Sequence, residues 1–398
     1  MKKLIYIVLI ILWLTGCNDE FDRNPVSLSL QVNFNEQFGS VAVGNIPVKL
    51  RHLQKDVSVT VQANSEGQLV FENLDPGFYS LSTSVTISPE HAEFISQEYF
   101  IDSLVLNANK IISVLESTED TLIIVPAFKS DLIIREFYYS GSYTNSGDHY
   151  FADQYLELYN NSDKTIDISG IIIAKHESVG YGYNRWSYIK DSVVVDMLWQ
   201  IPENTNQNLL FPGNSIVIAR DAINHKDDPN GNVNSPVDLS SANFEFYVIF
   251  ENKPDLDSPA ENLKELFTME PSQDITFFVK FGGGLMILDP KTDDVEAFIT
   301  EHKEKVTYPN GHVRYVVHIP NTWVIDAIDV LENENAEAFK RFPESLDAGF
   351  TYNGTKGSGT CISRKLVSDV DGRKVFRDTN NSTYDFLNHQ VPNPGLNE

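Results

Sequence analysis

Residues 26–34 read VSLSLQVNF. Val26, Leu28, Leu30, Val32 and Phe34 fall on one side of an extended chain, while Ser27, Ser29, Gln31 and Asn33 fall on the other. Successive side chains of a strand point to opposite faces, so period two held over nine residues predicts a half-buried β-strand. The alternation returns at residues 57–62, VSVTVQ, and residues 104–106 and 111–115 are again short and rich in β-formers. Turn residues interrupt these runs at short intervals, and no long amphipathic helical pattern occurs between residues 26 and 126. That combination predicts a sandwich and not βαβ units. Further along, Leu156 and Leu158 are set to face a core with Tyr155, Glu157 and Tyr159 facing away, and Asn160-Asn161-Ser162-Asp163 supplies a turn. The fold class expected is all-β.

The chain has 398 residues, 41% of them hydrophobic, with 24 Phe and 17 Tyr. It can bury a large core, and its length suggests two or three domains. Pro126 and Lys129-Ser130-Asp131 mark the expected boundary. The formal charge is −26. Such a surface repels phosphate backbones, which excludes nucleic acid as a partner and leaves cations, neutral glycans and proteins.

The amino end carries Lys2 and Lys3, then an uncharged run from Leu4 to Leu14, then Thr15 and Gly16. Eleven apolar residues span roughly 16 Å as a helix, about half a hydrocarbon core, so the run predicts a secretion signal and not a stable transmembrane helix. Leu14-Thr15-Gly16-Cys17 resembles the bacterial lipobox. The resemblance implies cleavage before Cys17, acylation of that residue, and a charge that moves from −26 to −28 as Lys2 and Lys3 leave. Several acyl chains make an anchor effectively permanent where one holds weakly. Asn18-Asp19-Glu20-Phe21-Asp22 resembles the acidic export signal of Bacteroidales lipoproteins, which implies the outer face of the outer membrane. With Cys17 acylated, Cys361 is left alone and reads as a small buried hydrophobe.

Residues 64–81, NSEGQLVFENLDPGFYSL, place Gly67 at a tight turn, Leu69 and Phe71 inward, and Pro76-Gly77 at the centre of a type II turn. This pattern resembles the carboxypeptidase-regulatory-like or Cna-B-like repeat, a prealbumin-type β-sandwich that in its family mostly serves as a stalk. Residues 154–170 resemble the lamin-tail domain, an immunoglobulin-like sandwich. Its later signposts are matched by residues 211–219, by 323–328 as a core strand, and by 378–386 with 392–397 as the closing motif. These blocks are spread over residues 131–398, so the resemblance implies long insertions, where function often lives. The expected organisation is a signal peptide (1–16), an acidic tether (17–25), a regulatory-like β-sandwich (26–126) and a lamin-tail-like β-sandwich with insertions (127–398). The whole resembles a family of uncharacterised Bacteroidales surface lipoproteins known only as a domain of unknown function, which transfers architecture and location but no catalytic residue.

Tyr181, Tyr183, Arg185, Trp186 and Tyr188 crowd one Gly-containing insertion. Trp, Tyr and Arg dominate interface hot spots and stack on sugar rings, which makes these five candidate contacts for a ligand or partner; the plainer reading is a hairpin whose rings pack on the sandwich. His312 and His318 share a strand face but lie roughly 20 Å apart, too far for one metal. Asp227-Asp228-Pro229-Asn230-Gly231-Asn232 lacks the ligand spacing of a calcium loop and reads as a turn. Phe281-Gly282-Gly283-Gly284 leads into a strand and reads as a glycine bulge. No nucleophile elbow, HExxH or haem-attachment motif is present, and no cofactor or metal is expected. Glu136 and Glu157 would meet only if their strands were neighbours. The expectation is a non-enzymatic lipoprotein held at the outer membrane by its lipid, a binding or accessory module for an outer-membrane transporter, a glycan or a protein. The alternatives are a hydrolase whose site is built from the insertions, or a structural envelope scaffold.

Overall fold

The computed structural model describes residues 24–35, 43–96, 103–177, 184–248, 255–269, 283–308 and 310–396. The expected signal peptide, Cys17 and the acidic stretch lie outside these residues, as do Tyr181 and Tyr183. The architecture is an all-β sandwich.

Strand β1 (Val26–Phe34) alternates strictly, with Val26, Leu28, Leu30, Val32 and Phe34 buried. It pairs antiparallel with β4 (Gln68–Leu74) and parallel with β7 (Thr118–Ala127). A second ladder runs β3 (Ser58–Gln62), β2 (Pro47–His52), β5 (Gly77–Ile87) and β6 (Leu104–Val114). The two ladders join where Val105, Leu106 and Asn107 of β6 meet Ala127, Pro126 and Val125 of β7. Leu28, Val32 and Phe34 from one ladder then pack with Leu50, Leu81 and Leu106 from the other in a single core. Gly67 has φ +78°, and a Cβ there would lie 2.6 Å from the Val32 carbonyl oxygen, so the tight turn does require glycine. Gly77 differs from the expected type II turn. The positive φ belongs to Asn73 instead, and Gly77 opens β5. Its Cβ position is blocked by the His52 ring at 2.6 Å, so packing and not turn geometry excludes a side chain.

Beyond Ala127 the chain forms two further seven-stranded sheets. One contains β8 (Leu132–Tyr138) between the strands Tyr155–Asn160 and Cys361–Arg364. The other contains Ser192–Gln200, Ile172–His176, Gly283–Leu288 and Val324–Val330. Ile134, Phe137, Leu156 and Leu158 face Ile173, Trp199, Leu285 and Ile328 across the core between them. Both sheets are covered on their outer faces as well. Tyr138, Tyr155 and Cys361 pack against Val237 and Leu239, while Met286 and Leu288 pack with Phe342 and Trp323. Tyr155, Glu157 and Tyr159, expected to face away, are therefore fully buried. Alternation fails here because both sides of the strand are core.

Gly283 and Gly284 sit in regular pairing with Val330 and Asp329, and the register shift falls later, between Ile287 and Leu288. Phe281 and Gly282, the first half of the expected glycine bulge, lie outside the described residues, and Gly284 serves a close approach: a Cβ there would lie 2.6 Å from the Phe342 ring. Trp323 ends a short 3-10 turn, Asn321–Trp323, and the core strand begins one residue later.

The second domain's two sheets are joined by a buried cation. The Arg364 guanidinium donates to both Asp326 oxygens at 2.7 and 2.6 Å, to Asp378 at 3.2 Å, and to the carbonyls of Ile134 and Arg377 at 2.8 Å each. Asp385 stands 3.5 Å away and accepts the Thr379 hydroxyl and amide. Three carboxylates face one guanidinium, and burial pushes the Asp385 carboxyl up to about 7 despite Arg364. The folded protein then holds a proton on Asp385 that the unfolded chain loses near the usual value of about 4. Its contribution is complete below that value and is lost as pH rises through 7, by at most about 1.4 kcal/mol per unit. Denaturant midpoints should fall between pH 5 and 8 in the wild type and fall less steeply in Asp385→Asn; equal slopes would refute this protonation.

Candidate functional site

The polar side of β2 carries Lys49 and Arg51, that of β5 carries Ser80 and Ser82, and Asn109 projects from β6. Register places them together: Lys49 opposes Ser82, Ser82 opposes Asn109, and Arg51 opposes Ser80. The second domain reaches this face through residues 334–352 and 381–388. Glu337 inserts into it, accepting from the Ser80 hydroxyl at 2.6 Å, from the Asn109 amide at 2.9 Å and from the Arg51 guanidinium. Burial alone would push its carboxyl up, but the bonds from Ser80, Arg51 and Asn109 outweigh it and hold the group below the usual range. Nearby, the Asn107 amide donates to the Thr379 carbonyl at 2.7 Å.

Two grooves flank this clasp. The larger, about 470 Å³, runs between Lys49, Ser82 and Asn109 on one side and Tyr352, Tyr384 and Asn388 on the other. The smaller, about 380 Å³, lies between Lys110 and Ile111 and the segment Lys340–Glu344. The domain-two wall of the larger groove is held rigidly. The Asn381 carbonyl accepts the amides of Tyr384 and Asp385 in the turn Ser382–Asp385, Ser382 donates to Asp347 at 2.6 Å, and a Cβ on Gly349 would meet the Asn381 side-chain oxygen at 2.1 Å.

The sequence-derived candidates are distributed differently. Trp186 is buried and donates its indole N–H to Glu177 at 2.6 Å; the Tyr308 hydroxyl donates to the other oxygen of Glu177 at 2.9 Å. Arg185 lies over the Tyr308 ring at 4.3 Å, a cation–π arrangement. Tyr188 is 72% exposed. Trp186 therefore follows the packing reading and Tyr188 points to solvent. Their neighbours Asn184, Ser187 and Lys190 line the smaller groove, with the Asn184 amide donating to the Lys340 and Arg341 carbonyls.

Glu136 and Glu157 are direct cross-strand partners, and the pairing skips Arg135, which forms a bulge. The bulge turns Arg135 toward both carboxylates, at 2.5 Å from Glu157 and 3.3 Å from Glu136. The C-terminal segment closes over them: the amides of Asn393 and Gly395 donate to Glu136 and Glu157, and the Asn393 carbonyl accepts from Arg135. These carboxylates tie down the chain end. Cys361 is fully buried beside them, and burial pushes its thiol far up. His318 reaches Glu304 at 2.7 Å while His312 is exposed. Residues 227–232 form a turn, with Gly231 pressed on the His225 carbonyl. Among the described residues no cluster of three or more metal-binding side chains occurs.

Glu337, Lys49, Ser82 and Asn109 carried no motif, and Tyr384 fell in the expected closing motif, residues 378–386, with no binding role attached. The available signal was the run of polar side chains on the solvent face of β2 and β5, too polar for mere alternation to assign a partner.

Glu337→Ala should remove three hydrogen bonds and leave Arg51 unpaired, a loss on the order of 2 kcal/mol. Calorimetry should then resolve the domains as two transitions where the wild type unfolds in one. A single unshifted transition would show that the clasp does not couple them.

Residues 211–393 match the family described as "Protein of unknown function (DUF4876)". Over 93% of this chain and 96% of the other, the structure is similar to a DUF4876 family protein from Bacteroides thetaiotaomicron, at 27% identity and a TM-score of 0.59. A DUF3823 family protein from Parabacteroides merdae gives 11% identity over 48% of this chain and 98% of that one, with a TM-score of 0.19. A streptococcal ancillary pilin gives 10% over 61% and 62%, with a TM-score of 0.17. A comparison with curated proteins gives no match. Residues 211–393 are thus similar to the DUF4876 family, and the all-β fold is similar to that of the Bacteroides protein.

Proposed function

We propose that the protein is a non-enzymatic binding module, lipidated at Cys17, anchored in the outer membrane and facing the cell surface, and that its ligand seats in the larger groove between the domains. The observation that carries this reading is the Glu337 clasp, which fixes one wall from each domain at a set separation. A groove of about 470 Å³ is within the size range of small-molecule sites. Rigid walls lower the ordering cost of binding, whereas a flexible junction would have to be organised by the ligand.

The shifted carboxylates support binding over catalysis. Asp153 accepts from the hydroxyls of Ser142, Ser235 and Tyr138, and burial pushes it up to about 6. Asp326 and Asp385 serve Arg364. Each holds strands or loops together within the core. Among the described residues no helix is long and apolar enough to cross a membrane. Anchoring in this reading rests on the acyl chains.

Fractionation tests the anchor: Cys17→Ser should move most of the protein from the membrane pellet to the soluble fraction, and unchanged pelleting would refute it. For the groove, the full chain purified from membranes should carry a ligand or partner at near-stoichiometric amount that Ser82→Trp loses. Turnover by the purified protein on a panel of ester, peptide and glycoside substrates would overturn the non-enzymatic reading.

A further inference from the structure

The larger groove brings together polar groups that the Glu337 clasp beside it does not use. In the groove, the Lys49 ammonium, the Ser82 hydroxyl and the hydroxyls of Tyr352 and Tyr384 have no hydrogen-bond partner among the described residues. The Asn388 side-chain oxygen accepts from the Thr351 hydroxyl at 2.7 Å, which leaves its NH₂ group unused. These groups project from two rigid walls. Lys49, Ser82 and Asn109 stand side by side across β2, β5 and β6. Tyr352, Tyr384 and Asn388 face them, Tyr352 braced edge-on by His389 at 6.0 Å and Tyr384 45% exposed.

We infer that this groove is a binding site for a neutral oligosaccharide, the juxtaposition of unused hydroxyl and amide groups on both walls with two tyrosine rings on one being what recognises it. This rests on the reading of the groove as the ligand site. A sugar presents many hydroxyls that donate and accept at once, and the lining offers donors (Lys49, Asn388) and donor–acceptors (Ser82, Tyr352, Tyr384) in matching mixture. Its C–H faces are covered by aromatic rings, which supply contact area at low entropic cost because Tyr has few rotatable bonds. Charge selects among sugars. Asp56 and Glu334 also line the groove, and Arg51 is already engaged by Glu337. Lys49 is therefore outnumbered by carboxylates, which disfavours sulfated, phosphorylated or uronate-bearing chains. An apolar ligand would strand the polar groups without partners, each at a cost in free energy.

The test uses the full chain in detergent against an array of immobilised neutral gluco-, manno-, galacto- and xylo-oligosaccharides, with sulfated and uronate-bearing ones alongside. At least one neutral chain should be retained by the wild type. Lys49→Ala and Tyr384→Leu should weaken it tenfold or more with unchanged unfolding midpoints, while Tyr188→Ala, remote from the groove, should leave it unaffected. Retention of charged oligosaccharides only, or full binding by both groove variants, overturns the inference. Should no sugar be retained while a component recovered with the wild type from membranes is lost in Lys49→Ala and Tyr384→Leu, the saccharide is wrong and the groove remains the ligand site. Should both measurements be indifferent to those variants, the groove reading falls as well.

Discussion

The second domain depends on one cation taken out of water. Arg364 lies on a strand of one sheet and Asp326 on a strand of the other, and their two-pronged contact at 2.7 and 2.6 Å spans the sandwich. A buried guanidinium is costly unless every N–H finds an acceptor. Here five bonds to Asp326, Asp378 and the carbonyls of Ile134 and Arg377 meet that demand. Asp326 also accepts the Ile134 amide at 2.7 Å, so the pair fixes β8 and sets the register on which its neighbours build. An apolar contact would hold the sheets together equally well; the directional bonds hold them in one alignment.

The same device recurs at smaller scale. Arg135, set by a bulge between Glu136 and Glu157, helps pin residues 393–395 against the sheet. Glu337 does for the two domains what Arg364 does for the two sheets, with the sign of the central charge reversed. In each case a loop or terminus contributes carbonyls, amides or a carboxylate to a charge anchored on a strand. A strongly acidic chain that uses its few arginines in this way commits them to architecture. In the larger groove Lys49 stands beside Ser82 and Asn109 and opposite Tyr352 and Tyr384, and the binding proposal turns on that juxtaposition.

Much of the first domain was legible because it obeys a local rule. Where one face of a strand meets core and the other meets water, side-chain period two identifies the strand, its inward residues and its turns, as at Val26–Phe34 and Gly67. The rule failed for Tyr155–Asn160, where every residue is buried, since Tyr155 packs under Val237 and Leu239, more than eighty residues later in the chain. It failed at Gly77 and Gly284 for a related reason: each lacks a side chain because of a ring, His52 or Phe342, that no local pattern connects to it. Of the aromatic insertion, composition singled out Arg185, Trp186 and Tyr188, but only the fold shows that Glu177 and Tyr308 take up the first two.

The sequence by itself determined the all-β class, the inward face of Val26–Phe34, the acidic surface and the residue types from which a site could be made; the alternation at 57–62 gave a strand, Ser58–Gln62, but not a buried face, since Val59 is exposed. These follow from periodicity and composition, which act between near neighbours. Tertiary structure alone decided that Glu136 meets Glu157, that Arg364 joins two sheets, and that β2, β5 and β6 face residues 334–388 across a groove. Glu136 and Glu157 lie 21 positions apart and Arg51 and Glu337 lie 286 apart, and the energy that selects such pairings comes from desolvating charges together, a quantity defined only once the chain has closed on itself.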